Sequence, residues 1–220
     1  MPSINEGHLS YCEGDLEGPS RCVDVPDASA SDLAVGDING DRFADVVAGD
    51  DAYIGRGGVK VWLGSGSPLS GEPAVITQRT DGVPGDLAPG DEFGSDVAIG
   101  DVTGDRRPDI VVTAPKDENG AGSVTVIPGS RTGADPAGAQ LLVRPSLPGA
   151  HFGAALSLID YDNDDLPEVI VGTAKVRNPD KALWAYVSHE GSGVGPQPEP
   201  ATGLAEKVTL TGDTPLYIGR

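Results

Sequence analysis

The chain has 220 residues, with 34 acidic against 15 basic side chains and a formal charge of −19. That charge argues against nucleic acid and anionic membrane surfaces as partners, and no apolar run approaches the ~20 residues of a membrane span. With 32 glycines and 19 prolines punctuating short runs of Val and Ile, and no apolar period of three to four residues, the fold class is all-β.

Residues 1–30 form an N-terminal segment holding the only cysteines, Cys12 and Cys22, in "YCEGDLEGPSRC". Their spacing suits a disulfide closing a small acidic loop in an oxidising compartment; the other reading is two unpaired thiols. No basic start followed by an apolar core marks a leader after Met1, so a secreted chain would have lost its signal.

From residue 31 the chain repeats itself. Residues 31–90 run "DLAVGD", an acidic loop, "DVVAG", then the alternating strand "GGVKVWLGS" with Trp62 packing between neighbouring sheets, and an outer strand "PAVITQRT". Residues 91–149 follow the same plan with "DVAIGD", "DIVVTAP", "GSVTVIPGS" and "QLLVRPSL". Residues 150–190 do so again with "ALSLID", "EVIVGTA" and "KALWAYVSH", where Trp184 and Tyr186 read as core rather than sugar platforms. Residues 191–205 form a linker. Residues 206–220 open on "EKVTLTG", expected as the outer strand of a further or closing blade. A recurrence of 64 and then 59 residues means stacked or radial repeats.

The acidic loops carry the chemistry. Each places an oxygen-bearing side chain at its first, third, fifth and ninth positions: Asp37, Asn39, Asp41 and Asp45; Asp101, Thr103, Asp105 and Asp109; Asp160, Asp162, Asp164 and Glu168. Calcium takes about 6 to 8 oxygens in a flexible shell, and alternate residues of a tight loop can supply them together with a backbone carbonyl and water. An EF-hand is excluded, because its twelfth-position glutamate is replaced by Ala48, Val112 and Val171, and its sixth-position glycine by Arg42, Arg106 and Asp165. Acidic turns also form without metal, since Asp and Asn bond their own backbone. The first copy offers the best ligands, the second substitutes a threonine, and the third ends in a longer glutamate.

A loop of the form Asp-x-Asn/Asp-x-Asp-x-x-x-Asp between strands, preceded by Phe-Gly and followed by Gly-Ala-Pro, resembles the FG-GAP repeat of integrin α-subunit β-propellers and their bacterial relatives. Phe93-Gly94 and Phe152-Gly153 match, Thr113-Ala114-Pro115 stands where Gly-Ala-Pro is expected, and Ser29-Ala30 replaces Phe-Gly in the first copy. The glycine usual at the sixth loop position is missing from all three. The resemblance covers about residues 28–190 and implies a β-propeller of four-stranded antiparallel blades, about three of them present. Because propellers close with about 4 to 8 blades, the expectation is a fragment, or a partial ring completed by self-association or further blades.

It also implies a non-enzymatic, calcium-binding extracellular module for adhesion, with a protein or carbohydrate ligand and no direct membrane insertion. A propeller lectin and an accessory propeller domain of a secreted hydrolase or lyase are the alternatives. His8, His151 and His189 lie far apart and belong to no nucleophile motif.

Overall fold

The computed structural model describes residues 8–15, 18–66, 72–86, 88–143, 149–160, 163, 165–173, 181–186 and 207–210. In chain order the strands are β1 (His8–Asp15), β2 (Gly18–Ser29), β3 (Asp32–Gly36), β4 (Asp45–Asp50), β5 (Gly58–Trp62) and β6 (Ala74–Ile76). There follow β7 (Val97–Gly100), β8 (Asp109–Ala114), β9 (Ser123–Ile127), β10 (Gly129–Ser130), β11 (Gly133–Ala134) and β12 (Gln140–Val143). The last four are β13 (Phe152–Ile159), β14 (Glu168–Thr173), β15 (Lys181–Tyr186) and β16 (Lys207–Leu210).

Three four-stranded antiparallel sheets result, ordered β3-β4-β5-β6, β12-β9-β8-β7 and β13-β14-β15-β16. They are propeller blades, and among the described residues they close no barrel. The strand expected in a further or closing blade pairs instead with β15 and completes the third sheet. The reason is plain in the ladder: without β16, the outer edge of β15 would be left open.

Alternation along each strand gives every blade two faces, and both are used where blades meet. Val47, Val59 and Val61 of blade 1 share a core with Val97, Ile110, Val112 and Ile127 of blade 2. The opposite face of blade 2, with Val111, Val124 and Val126, packs against Phe152, Val169 and Val171 of blade 3. We call the face toward the preceding blade leading and the other trailing. Phe93 and Phe152 are fully buried at the two junctions. Each forms a parallel bridge to a glycine of the blade before it, Gly57 and Gly122 respectively. A Cβ at Gly57 would lie 2.3 Å from the carbonyl oxygen of Phe93, so only glycine permits this approach.

The first blade departs from that plan at its leading face. The N-terminal segment folds as the antiparallel hairpin β1–β2, whose register sets Cys12 opposite Cys22. Val25 from β2 packs on Trp62 and Ala48. Trp62 therefore does not lie between two four-stranded blades. It stands opposite Val46 on the leading face of blade 1, and what lies over that face is the hairpin. At the Phe position Ser29 instead donates to the Asp50 carboxylate, which also accepts from Lys60 Nζ at 2.9 Å. This ion pair is buried, with side-chain exposures of 6% and 8%.

Candidate functional site

Each acidic loop joins the first two strands of a blade, so its ends are held 4.5–5.5 Å apart by the antiparallel ladder of about that spacing. In the first loop, Asp37 turns back onto the chain: its Oδ1 accepts from the backbone N–H groups of Gly40 (2.8 Å) and Asp41 (3.0 Å), and its Oδ2 from that of Arg42 (2.8 Å). Asp101 does the same for Gly104 (2.8 Å), Asp105 (3.1 Å) and Arg106 (2.7 Å). In the third loop, among the described residues, Asp165 N–H donates to Asp160 Oδ2 at 3.2 Å.

The backbone repeats as closely as the bonds. The fourth loop residue is left-handed in all three copies (Gly40 φ 75°, Gly104 φ 75°, Asn163 φ 62°), and so is the sixth (Arg42 φ 74°, Arg106 φ 69°, Asp165 φ 70°). A glycine would adopt the sixth position without strain, whereas these residues hold it at a cost. The fifth residue caps the next turn, with Asp41 Oδ1 accepting from Phe43 N–H and Asp105 Oδ1 from Arg107 N–H, both at 2.8 Å. Asn39 closes on Asp41, its Oδ1 accepting from the N–H at 3.0 Å and its Nδ2 donating to Oδ2 at 3.0 Å.

The ninth residue is different in kind. Asp45, Asp109 and Glu168 are completely buried under the loops. Asp45 accepts from Ile38 N–H (2.9 Å) and from Gly64 N–H beyond β5 (2.8 Å). Asp109 accepts from Val102 N–H (3.0 Å), Thr103 N–H (2.9 Å) and Gly129 N–H (3.2 Å). One carboxylate thus ties its loop to the third strand of its blade. Burial pushes both carboxyls above the ordinary carboxylate range, against the lowering effect of those N–H groups, and the neighbouring acids of each loop push the same way.

Of the twelve expected ligands, ten are described and Asp162 and Asp164 lie outside the described residues. Within a loop the side chains are neighbours, but the first and fifth face the backbone, and among the described residues no three acidic side chains converge as a ready metal cage. The donor set nonetheless fits a hard cation: on nine residues, three carboxylates and an amide or hydroxyl oxygen in the first two loops and four carboxylates in the third. Thr103, at the third position, has its hydroxyl buried beside the Asp109 carboxyl, which that hydroxyl helps to hold down.

Cys12 and Cys22 face each other in backbone register; their side chains lie outside the described residues. His151 is structural: left-handed at φ 49°, it passes its N–H to Gly120 across the second junction at 2.8 Å, just before Phe152. The sequence reading missed the buried Lys60–Asp50–Ser29 network, for which a lysine inside "GGVKVWLGS" was the available signal. It also missed the role of the aspartates opening "DLAVGD" and "DVAIGD". Asp32 Oδ2 accepts from Val97 N–H at 2.9 Å, and the pKa of the Asp96 carboxyl, which burial and Asp32 raise, is lowered by the backbone of Leu156 in blade 3.

A family model for the FG-GAP repeat matches residues 93–127, from the buried Phe93 to the end of β9. Integrin alpha-7 of Homo sapiens is 32% identical over 148 residues, 64% of this chain and 12% of the relative. Integrin alpha-6 of Gallus gallus is 30% identical over 150 residues, covering 64% and 13%. Integrin alpha-IIb of Mus musculus is 32% identical over 153 residues, covering 64% and 14%. The chain thus spans a small part of the length of the curated relatives it matches.

Proposed function

Starting from a chain that carries an FG-GAP repeat and is similar to integrin α chains over 64% of its length, we propose that it is a non-enzymatic, extracellular propeller module for adhesion or ligand binding, stabilised by Ca²⁺ in its hairpin loops. The ions would be held by Asp37, Asn39, Asp41 and Asp45, by Asp101, Thr103, Asp105 and Asp109, and by Asp160, Asp162, Asp164 and Glu168. The blades correspond to residues 31–90, to 91–149, and to 150–190 joined by β16, and Cys12 and Cys22 form a disulfide across the N-terminal hairpin. The ligand is a protein or a carbohydrate engaged by loops between the blades.

One observation carries the calcium reading: the same loop backbone, left-handed at its fourth and sixth residues, recurs above a buried ninth-position carboxylate in every blade. A solvated acidic turn has no need to bury that carboxylate, and without a cation three acids of like charge repel one another across a few ångströms. When bound, Ca²⁺ supplies charge neutralisation and cross-linking of the first two strands; the chain's own part is to orient the oxygens through the N–H groups already gathered by Asp37 and Asp101. A site filled at ten times its dissociation constant adds about 1.4 kcal/mol by linkage.

The ligand class rests on the likeness to integrin α chains. Trp62 gives no support to the sugar-platform alternative, since it is 3% exposed beneath the N-terminal hairpin. Thermal unfolding in excess chelator and in millimolar calcium tests the metal. A calcium-dependent rise in midpoint that Asp41→Ala reduces is expected; a melt indifferent to calcium would reduce the loops to acidic turns.

A further inference from the structure

Asparagine followed by glycine occurs twice in the chain, at Asn39-Gly40 in the first acidic loop and at Asn119-Gly120 in the connection between β8 and β9. Glycine leaves its backbone nitrogen open to attack the preceding side-chain amide, because it puts no side chain in the way. The two pairs stand in different surroundings, and the difference bears on that reaction.

At the first pair, Gly40 is exposed and its N–H donates to Asp37 Oδ1 at 2.8 Å. A carboxylate base therefore already touches the proton that the attacking nitrogen must lose. The side-chain carbonyl of Asn39 accepts from Asp41 N–H at 3.0 Å. That donor polarises the carbon under attack and stabilises the negative charge that grows on its oxygen. At the second pair, Gly120 is buried beside His151 and Gly149. Its N–H donates to the carbonyl oxygen of Lys116 at 3.0 Å, and an amide carbonyl is no base near neutral pH.

We propose that Asn39 is a site of self-modification, at which Asp37 and the Asp41 N–H promote conversion of the side-chain amide to an acid within the folded chain. The Gly40 nitrogen forms a bond to Asn39 Cγ and passes its proton to the Asp37 carboxylate. The Cγ–Nδ2 bond then breaks, and ammonia leaves with that proton, closing a five-membered succinimide. Water adds to one of the two ring carbonyls and breaks that carbon's bond to nitrogen. Addition at Cγ gives an ordinary aspartate at position 39; addition at the backbone carbonyl gives isoaspartate, whose main chain is one carbon longer. The first product has a counterpart in the chain, since the third loop carries a carboxylate, Asp162, at the same position. It adds a fourth carboxylate to the first loop and removes the Nδ2 donor that engages Asp41 Oδ2. The second product moves Gly40 away from the place where its φ of 75° and its bond to Asp37 hold the loop. One product strengthens the ion site and the other weakens it, a consequence that rests on the calcium reading; the modification itself does not.

Incubation of the full chain in near-neutral buffer with excess chelator, followed by peptide mass spectrometry at both pairs, tests it. The mass gain of amide to acid is expected at Asn39 about tenfold or more faster than at Asn119, because a positioned base supplies about 10²–10⁴ at full effect. In concentrated urea, where neither set of partners persists, the two rates should converge. Asp37→Asn keeps an accepting oxygen for Gly40 but supplies no base, and should slow Asn39 by a similar factor while leaving Asn119 unchanged. Asn39 converting no faster than Asn119 in the folded chain would overturn the proposal. So would a difference that survives urea, or an unchanged Asn39 rate in an Asp37→Asn chain with native circular dichroism. Should that variant fail to fold, the two pairs of the unaltered chain, with and without urea, decide. Calorimetry with calcium before and after conversion is read separately: conversion with no effect on calcium binding counts against the calcium reading and leaves the modification standing.

Discussion

The carboxylate of Asp32 in the first blade accepts a hydrogen bond from the backbone N–H of Val97, 65 residues further along and in the second blade, at 2.9 Å. Secondary structure had no use for that N–H on the edge facing blade 1, so a side chain from the neighbour satisfies it. A charge-assisted bond of this kind links two sheets where apolar packing alone leaves their relative height open.

Replacing that acceptor should therefore loosen the junction. Asp32→Ala is expected to cost about 1.5–3 kcal/mol in urea unfolding, and Asp32→Asn, which keeps an accepting oxygen, clearly less. Equal losses in the two variants would assign the effect to charge instead of to the hydrogen bond.

The hollow at Gly36 gives a second handle on the same junction. Gly36→Ala should destabilise by about 1–3 kcal/mol through crowding against Ile99. In an Ile99→Ala background the added methyl should cost less, because the colliding atom, Ile99 Cγ2, is absent there. Strict additivity of the two changes in a double-mutant cycle would mean that the contact is not the cause.

The Lys60–Asp50 pair lies under the N-terminal hairpin, and removing one partner leaves the other charge buried. Lys60→Ala is expected to lose about 3–5 kcal/mol, whereas Lys60→Met with Asp50→Leu should recover most of it. Proteolysis between Ser29 and Asp32 would follow the same order if the pair holds the hairpin down through Ser29. Equal cleavage rates in all three proteins would show that Val25 on Trp62 suffices.

Arg42 holds a left-handed conformation at φ 74°. Relief of about 1–2 kcal/mol of backbone strain outweighs the ~0.5–1 kcal/mol entropic cost of glycine, so Arg42→Gly should raise the midpoint of unfolding slightly. It also removes a positive charge from the first loop and should strengthen calcium binding measured by calorimetry; weaker binding would mean that the arginine helps to shape the site.

Asp96 supplies a pH signature. Burial first, and then the nearby charge of Asp32, hold its carboxyl above the ordinary value of 3.8, against the Leu156 N–H that lowers it. The folded state therefore keeps this proton longer than the unfolded one. Its contribution to stability is complete below the ordinary value and is lost as pH rises to the raised one. A series of melts from about pH 3.5 upward should show that decline, and Asp96→Asn, which cannot titrate, should remove this part of it. An unchanged slope would place the effect on other carboxylates.

Much of the blade plan was legible in the residues because its causes are local. Alternating Val and Ile runs bounded by Gly and Asp predict strands, and three loops at matching offsets predict three hairpins, which β3–β4, β7–β8 and β13–β14 form. The N-terminal hairpin was not foreseen, since β1 and β2 carry Gly, Pro and charged residues in place of an alternating pattern, and their pairing is tied to the face they cover. Residues 206–220 were expected in another blade because strand character says nothing about which edge a strand will join.

By itself, then, the sequence determined the elements, their three-fold recurrence and the chemistry of the loops, since these follow from residue spacing within a dozen positions. Tertiary structure alone decided which N–H the Asp32 carboxylate meets, that Ser29 joins a buried ion pair, and that Asp45 and Asp109 lie beneath their loops. Each of these depends on how whole sheets stack, where close packing and hydrogen-bond satisfaction act between residues tens of positions apart.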